Sequence, residues 1–384
     1  MLARLPLLLA LAWSASVGAL ELDAQLRLSA DDYPDAPSNG AGGRVLAGAG
    51  LKADWRGAAV RVAATARRTS TPWQSGDLAD LRDAHLTWAG DWGSFRFGHQ
   101  QVAWGRADLF RLLDIVNPWR FPDALFDDLA DAREPIWMAN LELARGLLDG
   151  QLLVGVNDRL DGLDPGFPTP GPLDWSQPRL EHPEPFGGVK VGAFLGDLAL
   201  NLYYLNQANL TPVAQQSPQG GVDLFERRRR MFGISADWPI GPAVLRKEAV
   251  DADSETVDAR LSPVDQRARQ LLIGMDFQPR GWLISPQFYL ENQNQTAYGL
   301  GDNTRRFGSL LVSRRLFQDQ LEVRALGATA LNGDEQWLSL RLGYTVNDHL
   351  ELRAHGDWFD AYPGGLLGTF ADLTRVGVET VIRY

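Results

Sequence analysis

Apolar and polar residues alternate along almost the whole chain. In 20–28 the apolar side is Leu20, Leu22, Ala24, Leu26 and Leu28, while Glu21, Asp23, Gln25 and Arg27 take the other. That is the period-two pattern of a strand with two different faces. It returns in Val45, Ala47, Ala49, Leu51, Ala53 and Trp55, turns at Arg56-Gly57, and resumes in Val60, Val62, Ala64 and Ala66 opposite Arg61, Thr65 and Arg67. Short turns at 56–57, 90–93, 145–150, 196–197, 239–241, 278–281, 316–320 and 345–349 alternate with longer polar stretches, among them 31–43, 158–187, 207–226, 251–267, 292–305 and 361–372. This rhythm predicts about 18 antiparallel strands of about 9–11 residues, the length a tilted strand needs to cross a bilayer.

Alternating strands also build soluble sandwiches and propellers, and three features favour a transmembrane barrel over them. Alternation of short turns with long loops suits a barrel whose ends meet different compartments, with periplasmic turns and extracellular loops. The non-apolar face carries Arg61, Arg96, Glu142, Asn201, Arg246, Gln287, Glu322, Arg324, Arg341, Glu351 and Arg353, which line a watery lumen at little cost but cannot fill a dry core. Aromatic residues gather at strand ends: Trp55, Trp88, Phe95, Trp238, Phe277, Trp282 and Tyr344 at one level, Trp137, Tyr204, Trp337 and Trp358 at the other. Rings of this kind settle at membrane interfaces. The expected fold is all-β: a transmembrane antiparallel up-and-down barrel.

The alternation stops between Gly98 and Met138, for longer than an ordinary connection in a compact fold. Leu109, Leu112, Leu113 and Val116 stand at helical spacing there, followed by Asn117-Pro118, an acidic run and Pro135. A loop spanning 103–135 with a short helix, starting on the extracellular side, is the expectation. Its apolar content (Leu109, Phe110, Leu112, Leu113, Ile115, Val116, Trp119, Phe121, Leu125, Phe126) would cost about 25 cal/mol per Å² if left wet. It should therefore pack inside the lumen as a constriction, or over the rim as a cap.

The order G-x-Q, then WG, then D-x-x-NP, then an acidic run before a proline is carried here by Gly98, Gln100, Trp104, Gly105, Asp114, Asn117, Pro118, Asp127, Asp128, Asp131 and Arg133. It resembles a family of Gram-negative outer-membrane β-barrels of uncharacterised function, distantly similar to alginate-export porins. Glu134 stands where that pattern has a small or apolar residue. The resemblance implies a channel or an export conduit. Physically, Gly98 and Gly105 allow close backbone approach or unusual dihedrals, and Asn117-Pro118 ends a helical turn. Asp114 is placed to pair with Arg111, Arg120 or a lumen arginine, and Asp127, Asp128 and Asp131 to face lumen arginines.

Residues 1–19 read as a cleaved secretory leader, with Arg4, an apolar core too short to span a bilayer and small residues before the mature barrel of 20–384. The chain has no cysteine and therefore no disulfide, and its net charge of −11 becomes −12 once Arg4 leaves with the leader. That balance argues against nucleic acid. The last strand places Val376, Val378, Thr380, Ile382 and Tyr384 on one face. A terminal aromatic after such alternation resembles the strand recognised by the outer-membrane barrel-assembly machinery.

A barrel of this size leaves an aqueous interior, so an outer-membrane channel for a solute or polymer is the leading reading. A conduit working with a periplasmic or inner-membrane transport partner, and a structural or adhesion barrel, are the alternatives. Outer-membrane lipid and lipopolysaccharide are the expected surroundings. Inward Arg61, Arg96, Arg246, Arg324, Arg341, Arg353 and Arg375 form either a ladder for carboxylate or phosphate groups or, with Glu142, Glu248, Glu291, Glu322, Glu351 and Glu379, a salt-bridged wall. Direct pairs Arg246–Glu248 and Glu351–Arg353 are expected, two residues apart on one face. His85, His99, His182, His349 and His355 are scattered without metal-ligand or triad spacing, and the acidic stretches 251–258 and 160–165 lack the spacing of a calcium loop. No enzyme activity, metal or cofactor is expected.

Overall fold

The computed structural model describes residues 19–35, 40–55, 57–70, 75–105, 110–120, 132–162, 178–216, 222–224, 227–362, 365–370 and 373–384. Most of the expected leader lies outside them. The strands come in chain order as β1 (Ala19–Asp32), β2 (Ala41–Trp55), β3 (Ala58–Ser70), β4 (Ser75–Gly90), β5 (Gly93–Gln100), β6 (Ile136–Arg145) and β7 (Leu148–Arg159). There follow β8 (Arg179–Leu195), β9 (Leu198–Ala208), the short β10 (Ala214–Gln216) and β11 (Val222–Leu224), β12 (Arg228–Ile240) and β13 (Ala243–Val257). The last are β14 (Pro263–Phe277), β15 (Trp282–Gln293), β16 (Thr304–Leu316), β17 (Leu321–Ala330), β18 (Gln336–Asn347), β19 (Leu350–Asp360) and β20 (Arg375–Arg383).

Eighteen of these form one antiparallel sheet, and β10 with β11 makes a hairpin apart from it. The sheet closes because β1 pairs with β20 as well as with β2. Closure reaches the end of the chain, where the Tyr384 amide donates to the Ala24 carbonyl at 2.9 Å and the Ala24 amide to the Tyr384 carbonyl at 3.1 Å. A closed sheet leaves no unpaired edge, the condition for a β structure in lipid. The tight turns fall where the sequence places them, with glycine supplying left-handed backbone at Gly196 (φ +63°) and Gly241 (φ +58°).

Burial separates the two faces. Val154 is 56 % exposed while the adjacent Leu153 is 0 % exposed, so the apolar surface carrying Val154, Leu202, Ile234, Leu340 and Val378 is the outer one. Such a surface is stable against lipid rather than water. Trp55, Trp88, Trp137, Trp238, Tyr344 and Trp358 stand exposed on it. Trp337 does not, contrary to the expected girdle. It is buried and turned inward, stacked on Phe359 at 5.4 Å, with its indole N–H 3.3 Å from Asp357 Oδ1. The reason is parity: Trp337 lies on the same side of β18 as Ser339 and Arg341, while Leu338, Leu340 and Leu342 take the outer face.

The interior is not uniformly polar. Leu153, Phe186, Tyr203, Leu205, Met231, Val250, Leu272, Phe307, Leu311 and Leu326 project inward and join one apolar cluster. Where they lie, the strands lose their alternation. Leu152-Leu153-Val154, Leu271-Leu272-Ile273 and Leu310-Leu311-Val312 are runs apolar on both faces, the pattern of a strand that is dry on both sides.

Candidate functional site

The inner apolar wall is covered by the segment between β5 and β6. Gly98 (φ +134°) brings β5 so near β4 that a Cβ would stand 2.2 Å from the Ala84 carbonyl oxygen, an approach open only to glycine. The buried Gln100 amide donates to the Met138 carbonyl at 3.0 Å. Trp104 then crosses to β7, its indole N–H 2.6 Å from Gln151 Oε1 and its ring 5.4 Å from that of Tyr203. Gly105 (φ +77°) turns the chain beneath it, and a Cβ there would meet Leu113 Cβ at 2.9 Å and Glu248 Oε2 at 3.0 Å.

Phe110, Leu112, Leu113, Ile115 and Val116 enter the apolar cluster, with the Phe110 ring stacked on Tyr289 at 4.5 Å and edge-on to Phe307 at 5.9 Å. The segment is thus packed inside the barrel. The short helix expected from its spacing is not formed over 110–118, which runs as bends. Side chains take the carbonyls a helix would use: Arg111 Nε donates to Asp114 O at 2.7 Å and its Nη2 to Asn117 O, while Gln207 donates to Ile115 O. Once its backbone groups are satisfied this way, the segment has no need of the helical ladder.

Asn117, fully buried, joins the two ends of the insert. Its Oδ1 accepts from the Val102 amide at 2.8 Å, and its Nδ2 donates to Glu134 O at 2.8 Å and Gln100 O at 3.3 Å. The Pro118 carbonyl accepts the Glu134 amide at 2.7 Å. Asp114 pairs with the Arg133 guanidinium rather than with Arg111 or Arg120. Arg111 instead reaches Asp161, beyond β7, at 2.7 Å, and Asp161 also accepts the Trp119 amide at 2.8 Å. Burial pushes the Asp161 carboxyl above its usual range against the pull of Arg111. Arg111 and Arg133 both lie over the Trp119 ring, at 5.0 and 5.7 Å.

Glu134 becomes a hub. Arg120 Nε is 2.8 Å from its carboxylate, Arg159 pairs with it too, and Asp80 lies 3.6 and 3.5 Å from the same two arginines. Arg82 links Asp80 (3.4 Å) to the Arg133 carbonyl (2.7 Å). A small or apolar residue at 134 would leave Arg120 and Arg159 without this carboxylate. Asp127, Asp128, Asp131, Leu109, Phe121, Leu125 and Phe126 lie outside the described residues.

Other parts of the wall are charged, and some of their inward side chains, Arg61 and Glu322 among them, keep contact with water. Arg61 is 3.1 Å from Asp83, Arg353 is 2.6 Å from Glu351 and 3.0 Å from Glu379, and Arg375 is 3.0 Å from Asp357. Glu322 approaches Arg315 at 3.6 Å, and Glu142 accepts from Gln151 and Asn140 at 3.1 and 3.3 Å. Arg246 bonds Asp276, and Glu248 lies buried against Gly105 of the insert. Arg324 and Arg341 occupy directly opposed positions of β17 and β18, and Arg324 makes no ion pair among the described residues. No group of three metal-ligating side chains occurs among the described residues either. Sequence reasoning missed Asp161, Asp80 and Arg159 as partners of the insert, since Arg111–Asp161 spans 50 positions and Arg159–Glu134 spans 25 without any local pattern.

No family model and no curated protein matches the chain. Solved structures do. Pseudomonas aeruginosa OccK8 (OprE) superposes with a TM-score of 0.57 at 12% identity, over 97% of this chain and 99% of that one. Acinetobacter baumannii OccAB1 gives 0.56 at 10% identity over 95% of each chain. Pseudomonas aeruginosa OccK2 (OpdF) in complex with glucuronate gives 0.55 at 10% identity over 97% of this chain and 99% of that one. At such identities the likeness is one of fold: the chain is built as the same kind of closed barrel.

Proposed function

We propose that the protein is an outer-membrane channel whose lumen admits small anionic solutes past the packed insert. The observation that carries the channel is the water contact of its inward side chains. Arg61 keeps 39 %, Lys52 35 % and Glu322 47 % of their side-chain exposure, although all three face the interior. The insert takes the apolar side of that interior, so a solute passes along the charged side, by β17–β20 and β1–β4.

The anionic preference is supported by Arg324 and Arg341. Like charges at directly opposed positions of an antiparallel pair repel, and a carboxylate between them removes that cost through charge-assisted hydrogen bonds. The sharing of the fold with OccK2, a protein whose structure holds the anionic sugar glucuronate, supports the same reading. The ion pairs elsewhere on the wall keep the field local rather than uniform.

The test is conductance of the purified protein in planar bilayers, with reversal potentials across a salt gradient. Steady single-channel steps with anion preference are expected without any added partner. A silent barrel that conducts only with a periplasmic or inner-membrane component would replace the channel by a partnered conduit.

A further inference from the structure

We propose that the outer face of the barrel at the extracellular ends of β12–β16 holds the phosphates of lipopolysaccharide, the phosphorylated glycolipid of an outer leaflet. This rests on the outer-membrane reading above and concerns the outside of the barrel rather than its lumen.

Three arginines from three strands carry the argument. Arg230 shares a face with Phe232, Ile234 and Trp238, all exposed. Arg269 shares one with Ile273 and Met275, and Arg306 with Leu310. Each therefore points outward, just above the apolar band that lipid chains cover. A cation on that face costs least at the interface and most at mid-bilayer, so this height is where an outward arginine is tolerated and where lipid headgroups lie.

Four of the nearby acids are already engaged. Arg267 holds Asp251 at 2.7 Å and lies 3.6 Å from Asp253, Arg227 holds Glu255 at 2.6 Å, and Arg228 holds Glu184 at 3.1 Å. Arg269 lies 3.9 Å from the Asp251 Oδ1 that Arg267 already binds, and its side chain is 67 % exposed. Arg230 and Arg306 make no ion pair among the described residues. Two exposed guanidinium groups without an ion pair among the described residues, and a third that only shares an acid with Arg267, thus stand together in a chain whose net charge is −11. Arginine presents a planar fork suited to phosphate oxygens. Below them, Ala249 stands between Ile234 and Leu271 in the strand register, a low position between two longer side chains where an acyl chain can lie.

The experiment compares the full-length protein with an R230Q/R269Q/R306Q variant, using purified bisphosphorylated lipid A, its dephosphorylated form and phosphatidylglycerol as probes in native mass spectrometry from detergent. The wild type should retain bisphosphorylated lipid A at least about tenfold better than the variant, as expected when three charge-assisted contacts are removed. It should bind the dephosphorylated form as weakly as the variant binds the intact one. Equal retention by both proteins, or equal binding of the two lipid A forms, overturns the proposal. So does equal retention of phosphatidylglycerol, which would mark a general anionic-lipid surface. Heat-modifiable migration and unchanged conductance show that the variant is folded. Fractionation of the wild type away from the outer membrane would sink the outer-membrane reading independently of any lipid result.

Discussion

The Nη1 of Arg111 lies 2.8 and 2.7 Å from the two oxygens of Asp161, and through this contact the insert is fastened to the loop beyond β7. Both side chains are nearly free of solvent, at 11 % and 5 % exposure. Removing one partner of such a pair leaves the other as an uncompensated buried charge. We expect Asp161→Ala to cost about 3–5 kcal/mol in urea unfolding of the barrel in vesicles. Arg111→Met with Asp161→Leu should recover most of that loss. If the single and double variants are equally unstable, the pair is not the fastening.

The apolar packing of the insert makes a separate claim. Leu113 is fully buried and Phe110 nearly so, stacked between β15 and β16 side chains. Leu113→Ala should cost about 2–5 kcal/mol, the usual range for a large-to-small change in a packed core. Channel conductance should rise, because a loosened insert no longer holds its side of the lumen. Deleting 104–134 should raise it further. Conductance unmoved by that deletion would mean the insert does not limit flow.

A pH effect is expected at the extracellular end. Glu335, just before β18, accepts the amides of Leu366 at 3.1 Å and Leu367 at 2.9 Å, and burial raises its carboxyl above the usual range. A raised folded-state value means the folded loop binds the proton more tightly than the unfolded chain. Its stabilising contribution is therefore full below the ordinary glutamate value and is lost as pH rises through the folded value. Protease resistance around 365–370 should increase on acidification and be flat with pH in Glu335→Gln. A protection that grows with rising pH would contradict the assignment.

Charge selection can be read at one residue. Arg324→Gln removes one of the two opposed arginines without touching the ion pairs of Arg353 or Arg375. The reversal potential in a salt gradient should move toward zero anion preference while stability changes by less than about 1 kcal/mol, since relief of like-charge repulsion offsets the lost side-chain packing. An unchanged reversal potential would remove Arg324 from the solute path.

How much of this was legible in the sequence depends on the range of the interaction concerned. Strand number, turn positions and the outward face follow from a period of two residues, which acts locally and needs only the contrast between lipid and water. Parity also puts Trp337 inward, against the girdle position expected for it, and the triple apolar runs at 152–154, 271–273 and 310–312 coincide with the dry inner wall. The motif glycines likewise signal unusual backbone, and Gly105 does adopt a left-handed dihedral.

Only the tertiary structure decided what the insert does with its apolar residues. Helical spacing over 109–116 names a helix, yet Arg111 and Gln207 satisfy the carbonyls and the segment bends against the wall instead. The partners that hold it (Asp161 for Arg111, Arg159 for Glu134) come from other strands and loops. Closing the barrel brings them together, and no local pattern encodes a pairing made by closure. The chain by itself determined a membrane-crossing barrel with a packed insert. Its closure decided which side of the lumen the insert fills and which charges face the water that remains.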